Sequence, residues 1–537
     1  MAGAAGEQSD VLIVGYGPVG QLLALLLVQN GWRVTVVERW PEPYPMPRAV
    51  AFDGEGARTL SAVGVGGLIG EIGEPSGEYL WKNAEGQVLL HIDGAADLWC
   101  GWPESTSMYQ PALEAALQAR GTEFAELTVL RGMRAVRLAE HQDFVELTAV
   151  DAAGAEHLLT ARWVVGCDGA NSFVREHVPG TVTDLGFSHD WLICDVVLDE
   201  EREFKPNNLQ ICDPARPRTE VSAGPGHRRW EFMRVGDETV AGLNTPETAW
   251  RLLGLFGVDQ QNARLERHHV YTFQASLADQ WRSGRLLLAG DAAHVMPPFA
   301  GQGMSSGFRD AKALAWRLDA VLRGTAQEGL LDSYTEERRT HVKHALTMSV
   351  NLGKIICQTD AVAAAERDQV MRATAERAKA TGTVSRRSPL QPLSRGLLHV
   401  GANQRPVRPA GALTPQARVA RAGRSGLFDD VVGTGFVLLT TEDPHALLDA
   451  AELAFLERLG THLVQLRPAG GMPAPAAPHL VEDLDGTLLG YLADAGATAL
   501  LVRPDYYVYG AAADRQGLAE LLATLRERLG AAAAMAL

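Results

Sequence analysis

Asp10-Val-Leu-Ile-Val-Gly15-Tyr-Gly17-Pro-Val-Gly20-Gln-Leu-Leu-Ala-Leu-Leu-Leu27 decides the fold of this chain. A short apolar run of strand length meets a glycine turn, and an apolar run of helical length follows. After Gly31 comes a second strand, Arg33-Val-Thr-Val-Val-Glu38, which ends in an acid. Each glycine has a separate task. Gly15 lets the chain turn tightly, Gly17 lets backbone approach a pyrophosphate, and Gly20 lets the helix sit close to the strand. The phosphate then rests on the free N–H groups of the helix start, where the dipole favours an anion. Glu38, at the end of the second strand, is placed to accept from ribose hydroxyls. Strand, helix and acid in register predict a dinucleotide site; an ordinary glycine turn is the bland alternative.

The bulk numbers bound the rest. A chain of 537 residues is too long for one core, so two or three domains are expected. Hydrophobic residues make up 46% and the net charge is −16, which argues for a globular protein without a nucleic-acid or anionic-membrane partner. No apolar run reaches membrane-spanning length, and the N-terminus lacks the basic and apolar regions of a signal peptide. Cys100, Cys167, Cys194, Cys212 and Cys357 are scattered, with no C-x-x-C spacing. They read as reduced thiols of a cytoplasmic protein that binds no metal.

Two later segments repeat the opening logic. Arg162-Trp-Val-Val-Gly166-Cys-Asp168-Gly169-Ala-Asn-Ser172 is a strand running into a Gly/Asp turn and a short helix. Arg285-Leu-Leu-Leu-Ala-Gly290-Asp291-Ala-Ala-His294 is another, followed by Pro297-Pro298-Phe-Ala-Gly301-Gln302-Gly303-Met304, a second glycine loop that opens a long helix. A helix start aimed at a cofactor puts positive potential where an anionic ring or developing oxyanion sits. Between them, residues 185–275 read as a run of strands inserted into the α/β domain. The alternating prolines before Arg48 are expected to deliver it into a helix start. Residues 332–378 read as a helix pair and residues 380–427 as a linker or arm. The last segment reads as a compact α/β module whose alanine-rich end frays.

In this order the motifs resemble the single-component FAD-dependent aromatic hydroxylases, the para-hydroxybenzoate hydroxylase group. Within it the likeness is to 3-(3-hydroxyphenyl)propionate hydroxylases. It extends over Pro47-Arg48-Ala-Val, Cys212-Asp-Pro-Ala-Arg-Pro217, Arg228-Arg-Trp-Glu-Phe-Met233, Gly290-Asp-Ala-Ala-His294, Tyr334-Thr-Glu-Glu-Arg-Arg339 and Leu501-Val-Arg-Pro-Asp505. The resemblance implies an α/β fold: a Rossmann-like FAD-binding domain (1–75, 101–184, 276–379), an inserted β-sheet substrate domain (76–100, 185–275), the linker, and a thioredoxin-like C-terminal domain (428–537). Lacking C-x-x-C, that last domain is expected to be structural.

The cofactor set implied is Gly15, Gly17, Pro18, Val19, Gly20, Glu38, Arg39, Arg48, Gln110, Asp168, Gly169, Asp291, Pro298, Gly301, Gly303 and Met304. The glycines hold the pyrophosphate and Glu38 the adenosine ribose. Arg48 and Gln110 reach the phosphate and ribityl region, Asp168 serves FAD and the approaching nicotinamide, and Asp291 binds the ribityl chain. Pro298, Gly301, Gln302 and Gly303 form the catalytic loop against the flavin. Trp191, Cys212, Trp230, Phe232 and Phe299 are the expected substrate residues; relatives often differ at Phe299. The implied cycle uses NADH or NADPH and O₂: the reduced flavin forms a C4a-hydroperoxide that hydroxylates a phenol ortho to its hydroxyl, a 3-(3-hydroxyphenyl)propionate-like acid being one such substrate. His294, His227 and Tyr271 are alternative bases, with a helix-start structural role favoured for His294. Two other readings stand beside this one: a tailoring hydroxylase of a polyketide or hydroxypyridine, and a non-catalytic FAD-binding protein. A homo-oligomer is compatible with this reading. Without cofactor motifs, loss of the tail near residue 427 is expected to leave flavin chemistry possible while harming solubility or assembly.

Overall fold

Strands of nearly continuous apolar sequence pair in parallel at the centre of the first sheet. Across it run Leu286–Leu288, Glu156–Gly166, Ser9–Val14, Val34–Glu38 and Leu127–Arg131. Such strands are covered on both faces, and Val11, Ile13, Val36, Val164 and Val165 are fully buried. Helix Pro18–Val28 starts on a proline and is buried from Gly20 to Val28. It packs against Gln110–Gly121 and Gly303–Leu322. Arg134–Glu140 and Val145–Val150 add an antiparallel meander to the edge of Glu156–Gly166.

The second sheet is almost wholly antiparallel. Its order is His294–Val295, Ala263–Ala278, Val182–Leu198, His227–Met233, Arg218–Ser222, Asn208–Cys212, Tyr79–Asn83 and Val88–Ile92. Its faces differ in what covers them. Leu192, Cys194, Trp230 and Phe232 point to one side, into a core built with Leu243, Leu252 and Leu253 of the helices Val240–Leu243 and Pro246–Leu253. Trp191, Ile193 and Met233 point to the other, as do Arg229 and Glu231 on the alternating strand positions.

The third sheet has the order Arg424–Leu427, Arg418–Arg421, Leu480–Asp483, His462–Pro468, Val437–Thr440, Ala499–Val502, Val508–Ala512. Its core is thioredoxin-like: Val437–Thr440 pairs in parallel with His462–Pro468, and the last two strands run antiparallel before helix Arg515–Arg528. Residues 418–427, expected to belong to an arm, form a hairpin of this sheet, because Val419 and Ala420 pair with Leu480–Asp483.

The computed structural model describes residues 8–44, 47–92, 98–381, 391–470 and 477–530. The N-terminus up to residue 7, the middle of the proline-rich loop, residues 382–390 of the expected linker and the alanine-rich end from 531 lie outside that range. Arg48 does not enter a helix start as expected; a strand, Ala51–Asp53, intervenes before helix Gly54–Ala62. Among the described residues no helix is long and apolar enough to cross a membrane.

Candidate active site

The first turn of the opening motif is sterically exclusive. Gly15 has φ +99°, and a Cβ there would lie 2.4 Å from the carbonyl oxygen of Cys167. A Cβ at Gly20 would lie 2.2 Å from the carbonyl oxygen of Gly15, so the helix rides directly on the turn. Gly17 is different: a Cβ there meets no protein atom within 4 Å. The space in front of Gly17 opens into a cleft of about 570 Å³, lined by Gly15, Gly17, Pro18, Val19, Glu38, Arg39, Arg48, Gln110, Asp168, Gly169, Asp291, Pro298, Gly301, Gly303 and Met304. Gly20 lies beneath the turn rather than in this lining.

Two helices begin at the cleft, Pro18–Val28 and Gly303–Leu322, and no side chain caps either. Their first-turn N–H groups are left for a ligand. The carboxylate of Glu38 accepts from Tyr16 N–H (2.7 Å) and Trp40 N–H (2.9 Å), which holds it at the cleft wall. Asp168 accepts from Ser172 Oγ (2.5 Å) and Val174 N–H (3.1 Å). Burial nonetheless pushes its carboxyl above the ordinary value, against those hydrogen bonds. Gln110 lines the cleft, but its amide oxygen accepts from the N–H groups of Arg48 and Ala49 (both 2.8 Å) and its NH₂ donates to Glu114. It sets the loop that carries Arg48. The Arg48 guanidinium stands 3.7 Å from the Asp291 carboxylate across the opening.

Asp310 pins the Gly290–Asp291 turn. It accepts from Gly290 N–H (3.0 Å), His294 Nε2 (2.7 Å) and Arg338 Nε (2.8 Å). Burial alone would raise its pKa, but His294 and Arg338 overcome that and hold it below the usual carboxylate range. His294 therefore serves the fold, from the two-residue strand His294–Val295 rather than a helix start. Gln302 turns its side chain away from the cleft and accepts from Arg309.

The expected substrate residues are not gathered at the cleft. Trp230 and Phe232 sit on the far face of the second sheet, under the helix Pro246–Leu253. Alternation put both on one face but could not say which. Trp191 and Cys212 are fully buried, and Phe299 packs edge-on to Trp191 (5.7 Å) and Phe273 (5.8 Å). Trp191 is the buried centre of this cluster, and Phe273 and Phe299 are partly buried against it. Of the expected bases, His227 stacks on Tyr109 (3.8 Å), and the Tyr271 hydroxyl accepts from Arg267 (3.0 Å). Neither lines the cleft. From the second sheet only Arg229 and Glu231, which the sequence reading passed over, do so among the described residues. Their signal lay in Arg229-Trp-Glu-Phe232, charges alternating with aromatics in a strand buried on both faces.

These features fit FAD: two uncapped helix starts for phosphates and an anionic ring, an acid at the ribose end, and open space at the one glycine that a pyrophosphate approaches. Comparisons agree. Residues 8–349 match the family described as FAD binding domain, and residues 411–528 the HcaD C-terminal domain. The chain is 37% identical to a probable NADH-specific resorcinol 4-hydroxylase of Rhodococcus jostii, over 97% of this chain and 95% of that one. It is 32% identical to a 3-(3-hydroxy-phenyl)propionate/3-hydroxycinnamic acid hydroxylase of Comamonas testosteroni, over 96% of each. The crystal structure of the flavin-dependent monooxygenase PieE in complex with FAD and substrate has the same fold, with TM-score 0.80 and 20% identity over 98% of this chain and 100% of that one. On its cleft, its sequence and its relatives, the chain belongs to the FAD-dependent aromatic hydroxylases.

Proposed function

We propose that this hydroxylase uses NADH and O₂ to hydroxylate a small phenol of the resorcinol type, ortho to a hydroxyl. The observation that carries the reading is the single cleft that runs past both uncapped helix starts and ends against the second sheet. The resorcinol relative, aligned end to end, supports the substrate class and NADH. Trp191, Phe273 and Phe299 pack ring against ring and line none of the cleft. The substrate then occupies the cleft itself, which suits one ring better than a polycycle. The first sheet with its helices serves as the FAD domain, the second sheet as the substrate domain, and the third sheet as a structural buttress. Five unpaired thiols suit a cytoplasmic enzyme.

Bound FAD supplies the transfer of one oxygen atom from O₂ at the expense of NADH. The chain's own residues do the rest. Gly17 and Val19 receive the pyrophosphate on their backbone, and Glu38 takes the adenosine ribose. Asp291, 3.7 Å from Arg48, would take the ribityl hydroxyls. Gly303 and Met304 would offer backbone N–H groups to the ring, while Gly301, whose N–H donates to the Pro298 carbonyl (2.8 Å), and Pro298 would line its side. NADH oxidation should be stimulated by members of a phenol panel, with a hydroxylated product formed in step. No stimulation by any phenol would sink the reading.

Asp291→Ala should speed FAD loss about tenfold or more, since a charge-assisted hydrogen bond is worth about 1.5–3 kcal/mol. His294→Ala should instead lower the unfolding temperature and leave FAD release near normal well below it. Equal FAD loss from both folded variants would count against the Asp291 assignment.

A further inference from the structure

Glu231 reaches the cleft from the middle of the second sheet and is 7% exposed. Among the described residues its carboxylate takes no hydrogen bond and no ion pair. Its neighbours are committed elsewhere. Arg229 donates to Asp195 (2.6 Å) and to the carbonyls of Arg48 (2.7 Å) and Pro47 (2.9 Å). Arg267 donates to Asp195 (2.8 Å), to the Pro47 carbonyl (2.8 Å) and to Tyr271 (3.0 Å). Asp195 thus takes hydrogen bonds from both cations, and the cations tether the Arg48 loop. A buried acid left unpaired costs stability, and such a cost is kept where the group meets a ligand.

Deepening the hydroxylase reading above, and resting on it, we propose that the Glu231 carboxylate accepts the hydroxyl proton of the phenolic substrate and that the site selects phenols without an anionic tail. In the step, the phenol O–H bond breaks and the proton bonds to a Glu231 carboxylate oxygen. The electron pair stays on the phenolate oxygen and enriches the ring carbons ortho and para to it. Glu231 becomes a neutral acid and later returns its proton to water; nothing is oxidised or reduced. An anionic tail would enter beside this carboxylate, with Arg229, the second sheet's cation at the cleft among the described residues, already bonded to Asp195 and two carbonyls.

The charges facing Glu231 are Arg229 on its own strand, Asp195 on the next, Arg267, His269 and Tyr271 on Ala263–Ala278, and Arg48 with Asp291 from the cofactor side. Burial pushes the Glu231 carboxyl up to about 7, with Arg229 opposing and Asp195 reinforcing the shift. A base poised there is about half ionised at neutral pH and fully ionised at mildly alkaline pH, where it can accept a phenol's proton. A raised carboxyl pKa also means that its contribution to stability, full below the ordinary value, is lost as pH rises through about 7.

The test uses the FAD-loaded protein and its Glu231→Gln variant, which keeps size and shape. Binding of resorcinol and of 3-(3-hydroxyphenyl)propionate is measured by calorimetry without NADH, and turnover from about pH 5.5 to about pH 9. The wild type should prefer resorcinol, and its kcat/KM should rise with pH through a single ionisation. Glu231→Gln should keep FAD, bind resorcinol about tenfold more weakly, lose the preference, lose the ionisation, and turn over about a hundredfold more slowly. An unchanged affinity and pH profile in Glu231→Gln would overturn the proposal alone, as would loss of FAD, which would make the carboxylate a cofactor ligand. A wild type preferring the propionate overturns the selectivity. A wild type that binds neither probe and oxidises NADH with no phenol overturns the hydroxylase reading, and the proposal with it.

Discussion

Replacing Arg503 by alanine is expected to destabilise the protein by about 3–5 kcal/mol, the range for breaking a buried ion pair from one side. Arg503 is 1% exposed. It donates to both oxygens of Glu337 (2.7 Å each), to Asp505 (2.9 Å) and to the Leu397 carbonyl (2.9 Å). Arg317 shares Glu337 (3.0 Å), and Trp316 Nε1 donates to Asp505 (2.9 Å). Without Arg503, two buried carboxylates keep one cation between them. The network joins the third sheet to the helices Gly303–Leu322 and Asp332–Ile356. Arg58 does the same through Asp429 (2.7 Å), and Glu55 through the Tyr507 hydroxyl (3.0 Å). Truncation at 427 therefore takes Arg503 from Glu337, Asp505 from Arg317, Asp429 from Arg58 and Tyr507 from Glu55, and uncovers the buried face they share, so insoluble protein is expected. A thermal midpoint for Arg503→Ala equal to wild type would show that the network contributes little.

Gly17→Ala is expected to abolish FAD retention while leaving the fold intact. The backbone there has φ −77°, which alanine adopts freely, and its Cβ would meet no protein atom. The methyl would fill the space that the pyrophosphate needs, losing one or two charge-assisted contacts and about a hundredfold or more in affinity. Gly15→Ala and Gly20→Ala fail differently: each drives a Cβ into rigid backbone, so the turn itself must shift and the apo fold weakens. Retention of yellow FAD by Gly17→Ala at wild-type affinity would place the pyrophosphate elsewhere.

The sequence was most legible where chemistry and local geometry coincide. Gly15, Gly17 and Gly20 each answer a local steric demand, and the Gly290–Asp291 and Gly166–Asp168 turns follow apolar strands whose neighbours are predictable. What could not be read was facing and distance. Trp230 and Phe232 alternate with Arg229 and Glu231, so the period fixes two sets but not which set meets the cofactor. Helix Pro246–Leu253 decides that by covering the aromatic face. Arg503 and Asp505 stood out as a tail motif, yet Arg503 bonds to Glu337, 166 residues away, and no spacing rule reaches that far. His294 read as a helix-start residue because its partner, Asp310, belongs to the following glycine-loop helix.

The central claim is that the cleft supports insertion of one atom of dioxygen into a phenol. The direct measurement is turnover of resorcinol by the FAD-loaded protein with NADH under isotopically heavy dioxygen in ordinary water, with product mass recorded. The account predicts a trihydroxybenzene that carries one heavy oxygen, formed in step with NADH consumed. NADH oxidation that yields only hydrogen peroxide across the phenol panel, or a product whose new oxygen comes from water, would contradict it.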